Sequence, residues 1–194
     1  MQKPQSYDST QSYGEFTPLA LGGHICKIMQ VEEKQSSTGR AMLVISLDIA
    51  EGEQKDYFAE QYKHDTRDNK KWGCVVYSVV DSSTNYGVKN LKTFITCVEN
   101  SNPNFHVKWG DNFGAQFKGK LIGGVFGREQ YLNNKQELKW ATKCVQFRSV
   151  QSIKAGVEVP EDKYLNGQQQ ALPQAGQDGF MDINPNLPDE LPFM

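Results

Sequence analysis

Alternation of apolar and polar residues with a period of two is the feature that most limits how this chain can fold. It is clearest at Leu43, Ile45, Leu47 and Ile49, where every second residue is apolar. This period turns one face of a strand toward a core and the other toward water. Strands are therefore predicted over residues 24–32, 41–50, 56–62, 72–80, 117–131 and 138–150.

Residues 86–100 form the segment with helical spacing, because their apolar side chains recur every three or four residues. Thr84 or Asn85 can cap the start of this helix, and Pro103 follows its end. An Asn-Asn pair at 133–134 joins the last two predicted strands as a hairpin.

The predicted order of elements is strands, one helix and a closing hairpin. A small antiparallel sheet removes its exposed edges by closing into a barrel. An all-β fold with one helix in this order is typical of the OB-fold, a five-stranded Greek-key barrel. Strands and helices do not alternate, so a parallel sheet is not expected.

Charge divides the chain into a basic body and an acidic end. Residues 1–150 carry 19 Lys or Arg and 16 Asp or Glu, a net charge of +3, whereas residues 151–194 carry 2 and 7, a net charge of −5. A Gln-rich, low-complexity stretch at 167–177 resembles a linker. We expect a flexible N-terminal arm at residues 1–20, an OB-fold domain at 21–155, and a disordered linker with an acidic tail at 156–194.

The sequence lacks the motifs of enzymes and metal sites. It contains no G-x-x-x-x-G-K-[ST], H-E-x-x-H or G-x-S-x-G pattern. The cysteines, Cys26, Cys74, Cys97 and Cys144, are far apart, which indicates reduced, buried thiols. We therefore expect a protein that is not an enzyme and has no cofactor or metal. The polar start and the lack of a long apolar run predict a cytoplasmic protein that does not enter a membrane.

Basic and aromatic side chains are interleaved near residues 55–72 and 118–148. Unpaired nucleic acid exposes phosphates and flat base faces, which bind cations and aromatic rings. This chemistry predicts single-stranded DNA as the ligand, although a ring in any one strand is also an ordinary core residue. The candidate DNA-binding residues are Arg40, Tyr57, Phe58, Tyr62, Lys63, Arg67, Lys70, Lys71, Trp72, Phe126, Arg128, Tyr131, Lys139 and Trp140.

Residues 181–194 combine carboxylates with an apolar end and contain no Lys or Arg. Prolines and a small apolar surface prevent this tail from folding alone, but a basic groove with an apolar pocket in another protein would bind it. The candidate partner-binding residues are Asp182, Asp189, Glu190, Leu191, Pro192 and Phe193. The stretch from Asp189 to Phe193 resembles the acidic tip of bacterial and phage single-stranded DNA-binding proteins. It departs from that tip by having fewer acids and an extra Met194.

The body is also similar to a family of phage-encoded single-stranded DNA-binding proteins of Gram-positive hosts. The similarity covers about residues 15–155 and is carried by residues 39–44, 52–58, 70–72 and 118–127. It implies an OB-fold that coats single strands during phage replication and recombination in the host cytoplasm, and a tip that recruits replication or recombination proteins. Exposed strand edges also permit assembly into a homo-oligomer. The alternative function is a strand-annealing or recombination-mediator protein, and a metal-dependent nuclease and a pure scaffold are two further classes.

Overall fold

The computed structural model describes residues 2–5, 7 and 17–165. Its main element is one open, five-stranded antiparallel sheet. The strands are β1 (Gly22–Gln35), β2 (Ala41–Ile49), β3 (Val75–Val79), β4 (Leu121–Leu132) and β5 (Leu138–Arg148). The helices are α1 (Tyr57–His64), α2 (Asn85–Ser101) and α3 (Val150–Lys154), and a short 3₁₀ helix spans Gly114–Phe117.

β1 lies at the centre of the sheet, whose strand order is β3-β2-β1-β4-β5. All neighbouring strands are antiparallel, so β1, β3 and β5 run in one direction and β2 and β4 in the other. β1 pairs with β4 only as far as Phe126, whereas β5 follows β4 to Leu132. Residues 127–143 therefore extend beyond β1 as a two-stranded hairpin arm. Five of the predicted strand segments are confirmed, each with at least one end shifted.

The predicted strand at residues 56–62 is wrong, because this segment forms α1. Asp48, buried near the end of β2, accepts hydrogen bonds from the backbone N–H groups of Ile49 at 2.9 Å and Phe58 at 3.0 Å. N–H groups in the first turn of a helix have no partner within the helix, and the carboxylate supplies one. Asp56, with φ of 58°, turns the chain into the helix. The described part thus has three α-helices, which corrects the expectation of one.

α2 confirms the helix predicted at residues 86–100. The Thr84 hydroxyl accepts a hydrogen bond from the Gly87 N–H at 3.0 Å, as expected of a cap. After the helix, the Asn102 side chain accepts from the Leu121 N–H at 2.9 Å and donates to the Leu121 carbonyl at 2.8 Å. These bonds fix the end of α2 against the start of β4. No helix in the described ranges is long and apolar enough to cross a membrane.

The core lies between the inner face of the sheet and α2. Ile28 and Ile45 of the sheet are fully buried, and the ring of Phe94 on α2 lies 5.0 Å from that of Phe117. A Cβ at Gly123 would lie 2.4 Å from the Ile153 side chain on α3 and 2.9 Å from a backbone oxygen of β5. The absence of a side chain at Gly123 therefore allows α3 to pack directly on β4.

Candidate nucleic-acid interface

Six candidate residues lie together on α1 and in the loop that follows it. This surface, the α1 patch, consists of Tyr62, Lys63, Arg67, Lys70, Lys71 and Trp72. The rings of Tyr62 and Trp72 are 5.7 Å apart, and the Lys70 ammonium lies 4.5 Å from the centre of the Tyr62 ring. Trp72 is half-buried and donates from Nε1 to the Leu47 carbonyl at 2.7 Å. The patch thus combines an anchored indole with a more exposed phenol ring and a cation.

Two lysines of the α1 patch are available to bind an anion. Lys70 and Lys71 are exposed, and neither forms an ion pair with another residue in the described part of the chain. A shallow cavity of about 380 Å³ lies on this surface, and Tyr62, Arg67 and Lys71 are among the residues that line it. Cations and a ring therefore surround a space that a nucleotide can enter.

The other two cations of the patch are paired with carboxylates of the same segment. Arg67 donates from Nε and Nη2 to the Asp65 carboxylate, at 2.8 and 2.7 Å. These hydrogen bonds lower the pKa of Asp65 to about 2. Lys63 pairs in the same way with Glu60 one turn earlier on α1. Both pairs are exposed, so a phosphate can compete for either cation.

Four further candidates lie on the hairpin arm and form the hairpin patch: Arg128, Tyr131, Lys139 and Trp140. The register pairs Gln130 with Trp140 and Tyr131 with Lys139. Because side chains alternate between the faces of a strand, Arg128 and Trp140 share one face of the arm, and Tyr131 and Lys139 share the other. The Arg128 guanidinium lies 5.3 Å from the centre of the Trp140 ring. Each face therefore carries one ring and one cation of the hairpin patch.

Residues 157–165, the C-terminal strap, run along the edge of β4 that β1 leaves free. The Lys163 N–H donates to the Arg128 carbonyl at 2.9 Å, and the Gln130 N–H donates to the Lys163 carbonyl at 2.8 Å. This parallel bridge joins β4 to a segment more than thirty residues later in the chain. The ordered contacts of the body thus continue past residue 155, where the sequence indicated a linker.

Side chains of the strap occupy one face of the hairpin patch. The Asp162 carboxylate accepts two hydrogen bonds from Arg128, one of them from Nε at 2.9 Å. The ring of Tyr164 stands edge-on to that of Trp140, with 5.2 Å between the ring centres. Trp140 is still 39% exposed. A ligand that binds Arg128 and Trp140 must therefore compete with Asp162 and Tyr164.

β3 and β5, the two edges of the sheet, line one cleft of about 300 Å³, the β3–β5 cleft. Its walls are residues 76–79 of β3 and 144–148 of β5, and residues of α2 form a third side. The Asn90 side chain of α2 donates to the Val79 carbonyl at 2.9 Å, which fixes the helix to the β3 edge. The two edge strands therefore face each other across the cleft, and no backbone pairing between them is observed.

The α1 patch and the hairpin patch flank the same end of this cleft. Phe58 of α1 stacks on Phe126 of β4, with 6.3 Å between ring centres, and Phe126 pairs with Cys144 at the base of the hairpin arm. Burial raises the pKa of the Cys74 thiol, and Cys144 raises it further. Trp72 precedes Cys74, and Trp140 precedes Cys144, in strands that run in the same direction. The structure thus brings together two segments that are separate in sequence.

The remaining candidate residues lie outside both patches. Phe58 and Phe126 are 6% and 0% exposed and stack on each other in the core, and Tyr57 packs edge-on against Phe58. Phe58 and Phe126 are therefore core residues, and Tyr57 is half-buried beside them. Arg40 is exposed in the loop between β1 and β2. Hydrogen bonds from Ser83 lower the pKa of Asp81, and the charge of Arg40 adds to this effect.

Sequence reasoning missed two exposed rings on the walls of the β3–β5 cleft. Tyr77 on β3 is 66% exposed, and Tyr86 at the start of α2 is 68% exposed. Arg148 of β5 lines the same cleft and has no ion pair with the residues that the structure describes. The alternation in β3 could have found Tyr77, because Cys74 and Val76 mark the opposite face of the strand as buried.

The cysteines are free thiols in and around the core. Burial raises the pKa of Cys26, and it raises the pKa of Cys144 to about 12. Within residues 17–165 and the few described before them, His, Cys, Asp and Glu side chains form no group of three that could hold a metal ion.

The candidate partner-binding residues lie outside the described residues, since the description ends at Leu165. These are Asp182, Asp189, Glu190, Leu191, Pro192 and Phe193. Comparison with known proteins finds no family model that matches the chain and no curated protein that is similar to it.

Proposed function

We propose that the chain is a single-stranded DNA-binding protein that coats unpaired strands during phage replication and recombination. The observation that carries this proposal is the β3–β5 cleft, flanked at one end by two patches of cations and rings. Lys70 and Lys71 are exposed there without ion pairs among the described residues, and Tyr62 and Trp140 expose ring surface. Cations bind the phosphates and rings stack on the bases, without recognition of a particular sequence.

The proposal includes an OB-fold as the finer description of the sheet. An OB-fold is a partly open, five-stranded Greek-key barrel that binds oligonucleotides with strands 2 and 3 and with the loops between strands 1 and 2 and between strands 4 and 5. The strand order, and the position of β3 beside β5 across the cleft, support such a barrel with one open seam. Arg40 then lies in the first of these loops, the hairpin patch beside the second, and Tyr77 on strand 3.

A second part of the proposal assigns partner recruitment to the C-terminal tail. The basis is the sequence alone: Asp189 and Glu190 precede Leu191-Pro192-Phe193, and no cation follows Lys163. A basic groove with an apolar pocket, on a replication or recombination protein, fits this chemistry. The tail would thereby keep such a protein at high local concentration near the coated strand.

Quenching of tryptophan fluorescence by oligo-dT, measured across a salt series, tests DNA binding. We expect saturable quenching, and an affinity whose logarithm falls with log salt by about 0.7 per phosphate contact. A duplex of equal length should bind more weakly, because its bases cannot stack on the rings. Absence of binding in dilute buffer, or an affinity that does not depend on salt, would contradict the proposal.

A further inference from the structure

Trp109 is an exposed ring that neither patch includes. It lies in the 105–120 loop, between α2 and β4, and is 70% exposed. One face of its indole stacks on Phe113, with 5.3 Å between ring centres and 20° between ring planes. Phe113 is buried and contacts the fully buried Phe117 at 5.1 Å. The indole is thus supported from the core on one side, and most of its remaining surface meets solvent.

The 105–120 loop is held against β1 by backbone contacts. Gly114 packs so closely on β1 that a Cβ there would lie 2.3 Å from the Val31 carbonyl. The Gly119 N–H donates to the Ile28 carbonyl at 2.7 Å. Within the loop, the Gln116 side chain bonds both the N–H and the carbonyl of Lys108, each at 2.8 Å. A ring presented in this way loses little conformational entropy when it binds a ligand.

Three lysines lie in the same loop as Trp109. Lys108, Lys118 and Lys120 form no ion pair with residues in the described part, and the loop contains a single acid, Asp111. Lysine is depleted at protein–protein interfaces, whereas cations beside an exposed ring match the phosphates and bases of a nucleic acid. This composition favours a nucleic acid over a protein as the ligand of the loop.

The loop lies at the opposite end of β4 from the hairpin patch. It leads directly into Leu121, the first residue of β4, whereas Trp140 pairs with Gln130 near the other end. At about 3.4 Å per residue, these two positions on β4 are roughly 30 Å apart. A short oligonucleotide bound at one end therefore does not reach the other.

We propose that the 105–120 loop is a second contact site for single-stranded DNA, in which a base stacks on Trp109 and phosphates bind Lys108 and Lys118. This inference rests on the proposed function, since it extends the path of the same strand. A strand that leaves the β3–β5 cleft and passes over the end of the sheet that carries the loop would contact both sites.

Binding of two lengths of oligo-dT to the full chain tests the inference. The lengths are about 4 and about 16 nucleotides, the limits of the site size of one such barrel. We expect Trp109→Ala to weaken binding of the longer oligonucleotide about tenfold, within the range measured for loss of one stacked base. The shorter one should bind nearly as tightly as before. W109F should recover most of the lost affinity, because phenylalanine also stacks on bases. The control V88A truncates Val88, an exposed apolar residue of α2, and should not change the affinity for either length.

The outcomes separate this inference from the proposed function. If the unmodified chain binds neither length, the proposed function fails, and the inference fails with it. If the unmodified chain binds DNA, two results for W109A would contradict a separate second site while DNA binding stands. One is an unchanged affinity for both lengths, and the other is an equal loss of affinity for both. An unchanged DNA affinity together with a smaller sedimenting species would assign Trp109 to contacts between copies, and would also overturn the inference.

Discussion

Asp48 is the side chain on which the conformation of α1 depends most directly. It is 1% exposed, one carboxylate oxygen accepts from the backbone of Ile49 and Phe58, and the other has no partner among the described residues. We expect D48A to lower the free energy of unfolding by about 1–3 kcal/mol, the cost of leaving buried donors unpaired. D48N keeps an acceptor oxygen and should cost less. Urea unfolding measures the free energy of unfolding of both variants. An equal decrease in the two would show that the acceptor oxygen does not account for the stabilisation.

Asp48 should also give the stability of the folded chain an unusual pH dependence. Burial raises the pKa of Asp48 above its usual value of 3.8, so the folded chain holds this proton more tightly than the unfolded chain. The contribution of Asp48 to stability therefore falls as pH rises from 3.8 through the raised pKa. Asp65 acts in the opposite direction, since its pKa is lowered to about 2 and its contribution is lost as pH falls toward that value. Asparagine has no proton to lose in this range, so D48N should lack the fall in stability that Asp48 causes as pH rises. Urea midpoints of both proteins, compared from pH 3 to 7, measure this difference.

Single residues also mark where sequence reasoning could not separate two roles. Tyr62 and Phe58 are both aromatic and lie four positions apart, yet one is exposed and the other is in the core. Positions four apart share a face of a helix, so their burial depends on what packs against each turn: Phe58 stacks on Phe126 of the core, whereas Tyr62 lies beside the half-buried Trp72. The segment was expected to be a strand, which hid this difference. The lysines were easier to place, because an amine is rarely buried wherever its backbone goes.

Among the elements, the loop after α1 carries two neighbouring cations, Lys70 and Lys71, that form no ion pair with the described residues. We expect K70A/K71A to weaken oligo-dT binding and to reduce the slope of log affinity against log salt by about 1.4, or 0.7 for each lost contact. K89A/K92A removes the same charge from α2 and is the matched control. A salt slope that drops equally in both double variants would mean that only net charge matters.

The C-terminal strap occupies Arg128 and Trp140 of the hairpin arm and, under the proposed function, would compete there with DNA. D162N removes the carboxylate that occupies Arg128, so we expect tighter oligo-dT binding and a steeper salt slope. Stability should change little, because an exposed ion pair contributes at most about 1 kcal/mol. E51Q, which breaks the ion pair of Lys154 with Glu51, removes one acid elsewhere and should alter binding less. Weaker binding by D162N would instead mean that Asp162 orients Arg128 for the ligand.

The strand pattern was predictable from sequence, and α1 and the strap were not, for one physical reason. Period-two alternation is local, and it correctly indicated the segments of β1 to β5. The helical state of residues 57–64 depends on Asp48, and the strap depends on a bridge between Glu129 and Lys163. Both are tertiary contacts, which no local period records. The α1 patch could be recognised from sequence because its residues are nearly contiguous. The hairpin patch could be recognised only as a second basic and aromatic segment, and its position relative to the α1 patch could not be predicted.

Under the proposed function, the whole chain divides into a body that binds DNA and a tail that makes its net charge more negative. A strand bound in the β3–β5 cleft would meet Lys70, Lys71 and Arg148, while residues 166–194 add four acids and no base. The acids disfavour DNA near the body by long-range repulsion, and salt screens this effect. The body should therefore bind DNA without the tail, and the tail should be required only for partners.

Two truncations of the full chain separate these regions. A chain that ends at residue 165 keeps the strap, and we expect it to unfold at the same urea concentration and to bind oligo-dT equally or slightly more tightly. A chain that ends at residue 156 also loses Val157, which packs over Gly23, so its free energy of unfolding should fall by about 1–2 kcal/mol. In that shorter chain Arg128 is released from Asp162, so its DNA affinity should exceed that of the 165-residue chain under conditions where both are folded. Loss of DNA binding on removal of residues 166–194 alone would place the binding site in the tail and contradict a site on the body.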